Sequence, residues 1–140
     1  MSYGTSEEDQ AFRRAFEAFE IAPEAFDHAA HVRLAYIYLC DENGVEAAAE
    51  RMKTSLLRFL NHLGIGEAKY HDTITRAWIT AVAHFMAREE SYDSGSAFIS
   101  RHPQLLDSKI MLRHYSAQVL FSPQARQAFV EPDIEPIPRH

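Results

Sequence analysis

Two stretches of this chain are apolar around most of a helical circumference, and such helices are stable only where other elements cover them on several sides. In one, from Asp27 to about Cys40, the residues Val32, Leu34, Ala35, Ile37, Tyr38 and Leu39 leave a single charge, Arg33, inside the run. In the other, from about Asp72 to Glu89, the residues Ile74, Trp78, Ala81, Val82, Phe85 and Met86 recur at helical spacing. Both belong in the middle of a bundle. Two one-sided helices are available to cover them. The first opens on a capping-box pattern, Thr5 with Glu8, runs to about Glu20 with Phe12, Phe16 and Phe19 as its buried stripe, and breaks at Pro23. The third helix, from about Val45 to Leu63, carries Val45, Ala49, Met52, Leu56, Phe59, Leu60 and Leu63 and stops at Gly64, a left-handed cap.

Beyond Gly95 the periodicity weakens into short helices, about Ser96 to Arg101, Ser108 to Tyr115 and Pro123 to Phe129, the last announced by Ser122 as cap with proline at the first helical position. The tail from Glu131 to Pro138 is proline-rich and extended, so it either lies along the surface or is disordered. No stretch alternates with period two for long enough to form a sheet. The fold expected is all-α: a single-domain helical bundle of four principal helices plus short C-terminal ones. Residues 1–22 give an N-terminal helix, 23–130 the core and 131–140 an extended tail.

At 140 residues the chain is long enough to bury about 70% of its unfolded surface without staples. Its net charge of -6 excludes the basic footprint that nucleic acid or an anionic membrane surface requires. No uninterrupted apolar run reads as a transmembrane segment or a signal peptide, which makes a cytoplasmic protein the expectation. The one cysteine, Cys40, ends an apolar helix and reads as a small hydrophobe.

The chemistry that the sequence offers is concentrated at the starts of the two apolar helices. Asp27 is a natural N-cap, and His28 and His31 follow at i and i+3, one face and one turn apart. His71 stands at the other start, in Lys69-Tyr70-His71-Asp72-Thr73. A histidine in a first helical turn is disfavoured as imidazolium by the macrodipole, which leaves a neutral ring as donor, acceptor or metal ligand. Arg33, partly buried, needs either an acid on a neighbouring helix or a substrate anion, and the acid is the commoner partner.

Three segments, Phe26 to Ala35, Lys69 to Trp78 and Phe121 to Arg126, resemble a small helical bacterial family known as hypothetical proteins, with the motifs F-x-H-x-x-H-V-R and K-Y-H-x-T. The likeness runs from Phe26 to Asp133, leaves the helix before Pro23 outside, and brings no activity with it. His71-Asp72, with an upstream histidine and a later aspartate, is also similar to the pattern of the all-helical HD-type phosphohydrolases. Here, however, the dipeptide opens a helix instead of ending one. No Glu-x-x-His motif of the di-iron carboxylate bundles lies on the central helices.

Three functions compete. The first is a mononuclear divalent-metal site with His28, His31 and His71 as ligands and Asp72 or Tyr115 as a further one. Three neutral imidazoles suit zinc, iron, copper or nickel, with zinc or iron the expected ions, and nothing selects hydrolysis over oxidation. The second is a metal-free module for a small anionic ligand or a protein partner, with Arg33, Lys69, Tyr70 and Thr73 lining a polar pocket between helix starts. The third makes the histidines ties between helices, the protein acting through its surface; a homo-oligomer is compatible with it. On the site readings, His71→Ala should harm function more than stability and Trp78→Ala the reverse.

Overall fold

Each principal helix begins where a side chain, or a glycine, can take the chain into its first turn. The structure, a computed structural model, describes residues 2–88 and 91–139. A two-residue strand β1 (Ser2–Tyr3) leads into α1 (Glu7–Glu17), followed by α2 (His28–Asp41), α3 (Val45–His62) and α4 (Asp72–Met86). Strand β2 (Ser91–Tyr92) pairs in parallel with β1, and α5 (Gly95–Arg101), α6 (Ala117–Leu120) and α7 (Pro123–Gln127) complete the chain, with short 3-10 turns between them. The molecule is an all-α bundle of four principal helices with a run of short ones. The end expected for the fourth helix at Glu89 lies outside the described residues.

The capping box of α1 sits one residue later than the sequence suggested. Ser6 accepts from the Asp9 N–H and Asp9 from the Ser6 N–H, both at 3.0 Å. The register shifts because Asp9 is also held by Arg33 at 2.9 Å and by the Gly95 N–H at 2.8 Å. Glu8 is exposed and makes no such bond among the described residues. The helix then stops at Glu17 instead of Glu20. Phe19 takes a left-handed conformation (φ 64°), with its N–H on the Phe16 carbonyl and the Glu20 N–H on that of Ala15, a Schellman closure built on a phenylalanine. Its ring is retained there by stacking on His62 at 4.3 Å.

The heaviest burial falls on α2 and α4, with six and nine buried residues against two and five in α1 and α3. The two helices read as apolar all round are thus the centre. α3 runs antiparallel to both. Near its start Arg51 meets Glu42 at the end of α2, while Phe59 near its end packs 5.8 Å from Phe26 before α2 begins. Against α4, Glu50 pairs with Arg76 and Val45 shares a cavity wall with Ala83. The N-terminal helix joins this core through Phe16, fully buried against Phe26 and Phe59.

After residue 100 the short elements differ in detail from the expectation. Ser108–Arg113 is 3-10 helical, and α6 was not anticipated; it starts at Ser116, whose hydroxyl accepts from the Val119 N–H. The tail lies along the surface. Asp133 accepts from the Ser116 N–H at 2.8 Å, the Ile134 N–H donates to the His114 carbonyl at 2.9 Å, and Ile137 is buried. Among the described residues no helix is long and apolar enough to cross a membrane.

Candidate functional site

The start of α4 is a clasp for the C-terminal segment. His71 is its N-cap: Nδ1 accepts from the Ile74 N–H at 3.1 Å, and Nε2 lies 2.7 Å from the Leu120 carbonyl. A carbonyl only accepts, so Nε2 carries the proton and both ring nitrogens are committed. Burial holds the imidazolium below its usual range, and the charge of Arg126 adds to that against the opposing pull of the Leu120 carbonyl and Asp72. Thr73 continues the clasp, its hydroxyl donating to the Ala128 carbonyl at 3.1 Å and accepting from the Val130 N–H at 3.0 Å. Tyr115 donates to the Val130 carbonyl at 2.6 Å. Asp72 is buried and bound by the Tyr70 hydroxyl at 2.9 Å and by Arg76 Nε at 3.2 Å. Lys69 is exposed.

The start of α2 is arranged differently. Asp27 caps it by accepting from the Ala30 N–H at 2.9 Å. His28 donates from Nε2 to the Leu105 carbonyl at 2.9 Å and meets the Trp78 ring edge-on at 4.6 Å. His31, half-buried, has its ring 6.5 Å from that of His28 and perpendicular to Phe26 at 6.1 Å, and makes no hydrogen bond among the described residues. Burial, with the neighbouring His28 adding to it, pushes its pKa down to about 4, so the ring is neutral near pH 7.

The expected common site of His28, His31 and His71 therefore separates into two places. His28 packs on Trp78, which lies about 10 Å along α4 from His71 at 1.5 Å per residue. His71 has no nitrogen left to turn toward it. Among the described residues no group of three or more His, Cys, Asp or Glu is placed to hold a metal ion. Asp72 and Tyr115 are each spent on other partners, as above. The expected polar pocket of Arg33, Lys69, Tyr70 and Thr73 does not assemble either: Arg33 is bound to Asp9, away from the α4 start. Neighbouring groups settle that pair. Burial alone would raise the Asp9 carboxyl, but the Gly95 and Ser6 N–H groups and the Arg33 guanidinium hold it below the usual range. The Cys40 thiol is pushed up to about 11 by burial, leaving no thiolate near pH 7.

A cavity of about 370 Å³ opens elsewhere, where the tail docks over α3 and α4. Val45, Ala49, Ala83 and Phe129 give it apolar walls, and Glu46, Arg76, Glu131 and Arg139 give it charge. Arg76 is held by Asp72 and Glu50, and Glu46 approaches it at 3.6 Å without a hydrogen bond. Burial would lower its pKa, but Glu50 and Asp72 raise it. Arg139 pairs with Glu131 at 3.1 Å. None of these residues was expected at a binding site from the sequence, because the cavity exists only once residues 129–139 lie against the groove between the two helices. The one signal for it was the proline-rich tail, whose apolar residues need somewhere to dock.

No protein-family model, no curated protein and no solved structure matches this chain.

Proposed function

We propose that this protein is a small-molecule-binding module whose ligand site is the cavity between α3, α4 and the C-terminal tail, and whose His71 is a structural tie. One observation carries the reading: a concavity of about 370 Å³ that combines apolar walls with a few charged groups, a size and lining suited to small ligands. Both nitrogens of His71 are meanwhile occupied by backbone groups. A thermal-shift screen of small amphipathic compounds tests it. A hit should raise the melting temperature, and Ala83→Trp, which places an indole in the cavity, should abolish that rise while the protein stays folded by circular dichroism. Hits unaffected by Ala83→Trp would place the ligand elsewhere.

His31 supports a second reading, a divalent ion such as zinc or iron at His28 and His31. Its ring is neutral and without a hydrogen bond among the described residues, and His28 keeps Nδ1 outside its bond to Leu105. Near-stoichiometric metal in the purified protein, lost in His31→Ala and kept in His71→Ala, would favour this reading; protein without metal would discard it.

A further inference from the structure

We infer that the cavity takes a small ligand with an apolar body and a protonated amine, with Glu46 as its counter-charge. The inference rests on the cavity being the ligand site and adds the class of ligand. The cavity wall itself carries two carboxylates, Glu46 and Glu131, and two guanidiniums, Arg76 and Arg139, but Glu50 and Asp72 outside the wall also pair with Arg76, so carboxylates outnumber guanidiniums in the cluster. A ligand entering this field is favoured if it brings positive charge.

The state of each group points the same way. The positive charges are already matched: Arg76 donates to Asp72 and Glu50, and Arg139 gives one guanidinium nitrogen to both oxygens of Glu131 at 3.1 and 3.2 Å. Neither guanidinium offers an anion an unmatched positive charge. A cation needs free acceptors, and Glu46 provides them. Its side chain is 90% exposed, and its approach to Arg76, 3.6 Å, exceeds hydrogen-bond distance.

One feature opposes this. Val45 and Glu46 open α3, whose N-cap Gly44 supplies no side-chain acceptor, so the positive end of the helix dipole is bare. That end is worth about half a unit charge, less than the excess of carboxylates. The apolar walls fix the other half of the ligand. Phe129 adds an aromatic surface, which suits a hydrocarbon or aromatic body and tolerates a nearby ammonium.

Three probes of one shape separate the possibilities: phenylbutylamine, phenylbutanol and phenylbutyrate, titrated calorimetrically into the full chain at low salt. The amine should bind at least about tenfold more tightly than the carboxylate, with the alcohol between them. That preference should shrink in high salt and in Glu46→Gln, an exposed change that leaves packing untouched. Ala83→Trp, with the milder Ala83→Leu in parallel, should weaken all three. If the carboxylate binds as tightly as the amine and both are lost in the Ala83 variants, the amine inference falls and the cavity reading stands. If binding ignores both Ala83 variants, or no probe binds, the cavity reading falls and takes the inference with it.

Discussion

His71 and His31 stand close to the N-caps of the two central helices, yet the fold treats them in opposite ways. His71 is itself the cap, and its second nitrogen crosses to the Leu120 carbonyl, 49 residues away, so one ring closes both a helix end and a tertiary contact. His31 sits a turn inside α2, where Asp27 already caps the helix, and its ring meets those of Phe26 and His28. The residue type is alike at the two starts, but the position relative to the cap is not. What separates them is whether a backbone donor or acceptor lies within reach of each nitrogen: the cap position decides it for Nδ1 of His71 and tertiary structure for Nε2.

Substitutions can rank the two starts. The reference point is Trp78→Ala, which removes a buried indole from the centre of α4 and should cost roughly 3–5 kcal/mol in urea denaturation. His71→Ala comes next at roughly 2–4 kcal/mol, because it deletes an N-cap acceptor and leaves the Leu120 carbonyl without its donor. The loss remains below that of Trp78→Ala, as the sequence suggested, but exceeds what a histidine beside a relaxing loop would give. Near-normal stability in His71→Ala would show that water replaces both bonds and would dissolve the contrast.

His28→Ala should cost about 1–2 kcal/mol, for the bond to Leu105 and the edge contact with Trp78. His31→Ala should be mildest near pH 7, below about 1 kcal/mol, since it breaks no hydrogen bond among the described residues. A loss as large as that of His71→Ala would reveal a partner for the ring.

The finest test is pH. His31 titrates near 4 in the folded protein against an ordinary value of 6.5, so the unfolded chain binds the proton first. Its contribution is intact above 6.5 and is lost as pH falls toward about 4. His71, also held below 6.5, adds a slope of the same sign. The carboxyl of Asp9, held below 3.8, keeps its contribution until pH falls lower still. Stability measured from pH 7 to 4 should thus decline in the wild type and less steeply in His31→Ala. An unchanged slope in that variant would remove the histidine from the titration.

Much of the fold was legible because its signals are local. Asp27 as a cap, Gly64 as a left-handed stop and Ser122-Pro123 as a start depend on a few neighbouring residues, and each appears where the sequence placed it. The predominance of the second and fourth helices followed from their apolar circumference. The kind of partner for Arg33, an acid on a neighbouring helix, was legible too. Its identity was not, because the Asp9 register depends on Gly95, 86 residues further on. The same limit hid the role of His71, whose bond partner lies in α6, a helix too short to show a period. It also hid the cavity, whose walls come from α3, α4 and the tail.

The seam between the N-terminal segment and the stretch after α4 bears on the order in which the molecule assembles. Ser2 and Tyr3 pair with Ser91 and Tyr92, the Gly4 N–H donates to the Tyr92 carbonyl, and Asp9 clamps the Gly95 N–H, where a side chain would be tight: a Cβ there would meet Arg33 and Asp9 at 3.1 Å. Contacts so distant along the chain require a long loop to close before they give anything back, whereas α2, α3 and α4 meet as consecutive neighbours. The hairpin of α2 and α3 should therefore form early and the seam last. In hydrogen exchange the amides of Gly4 and Gly95 should open at lower free energy than those in the middle of α4, which makes the N-terminal segment a separable layer in time although it is continuous with the core in space.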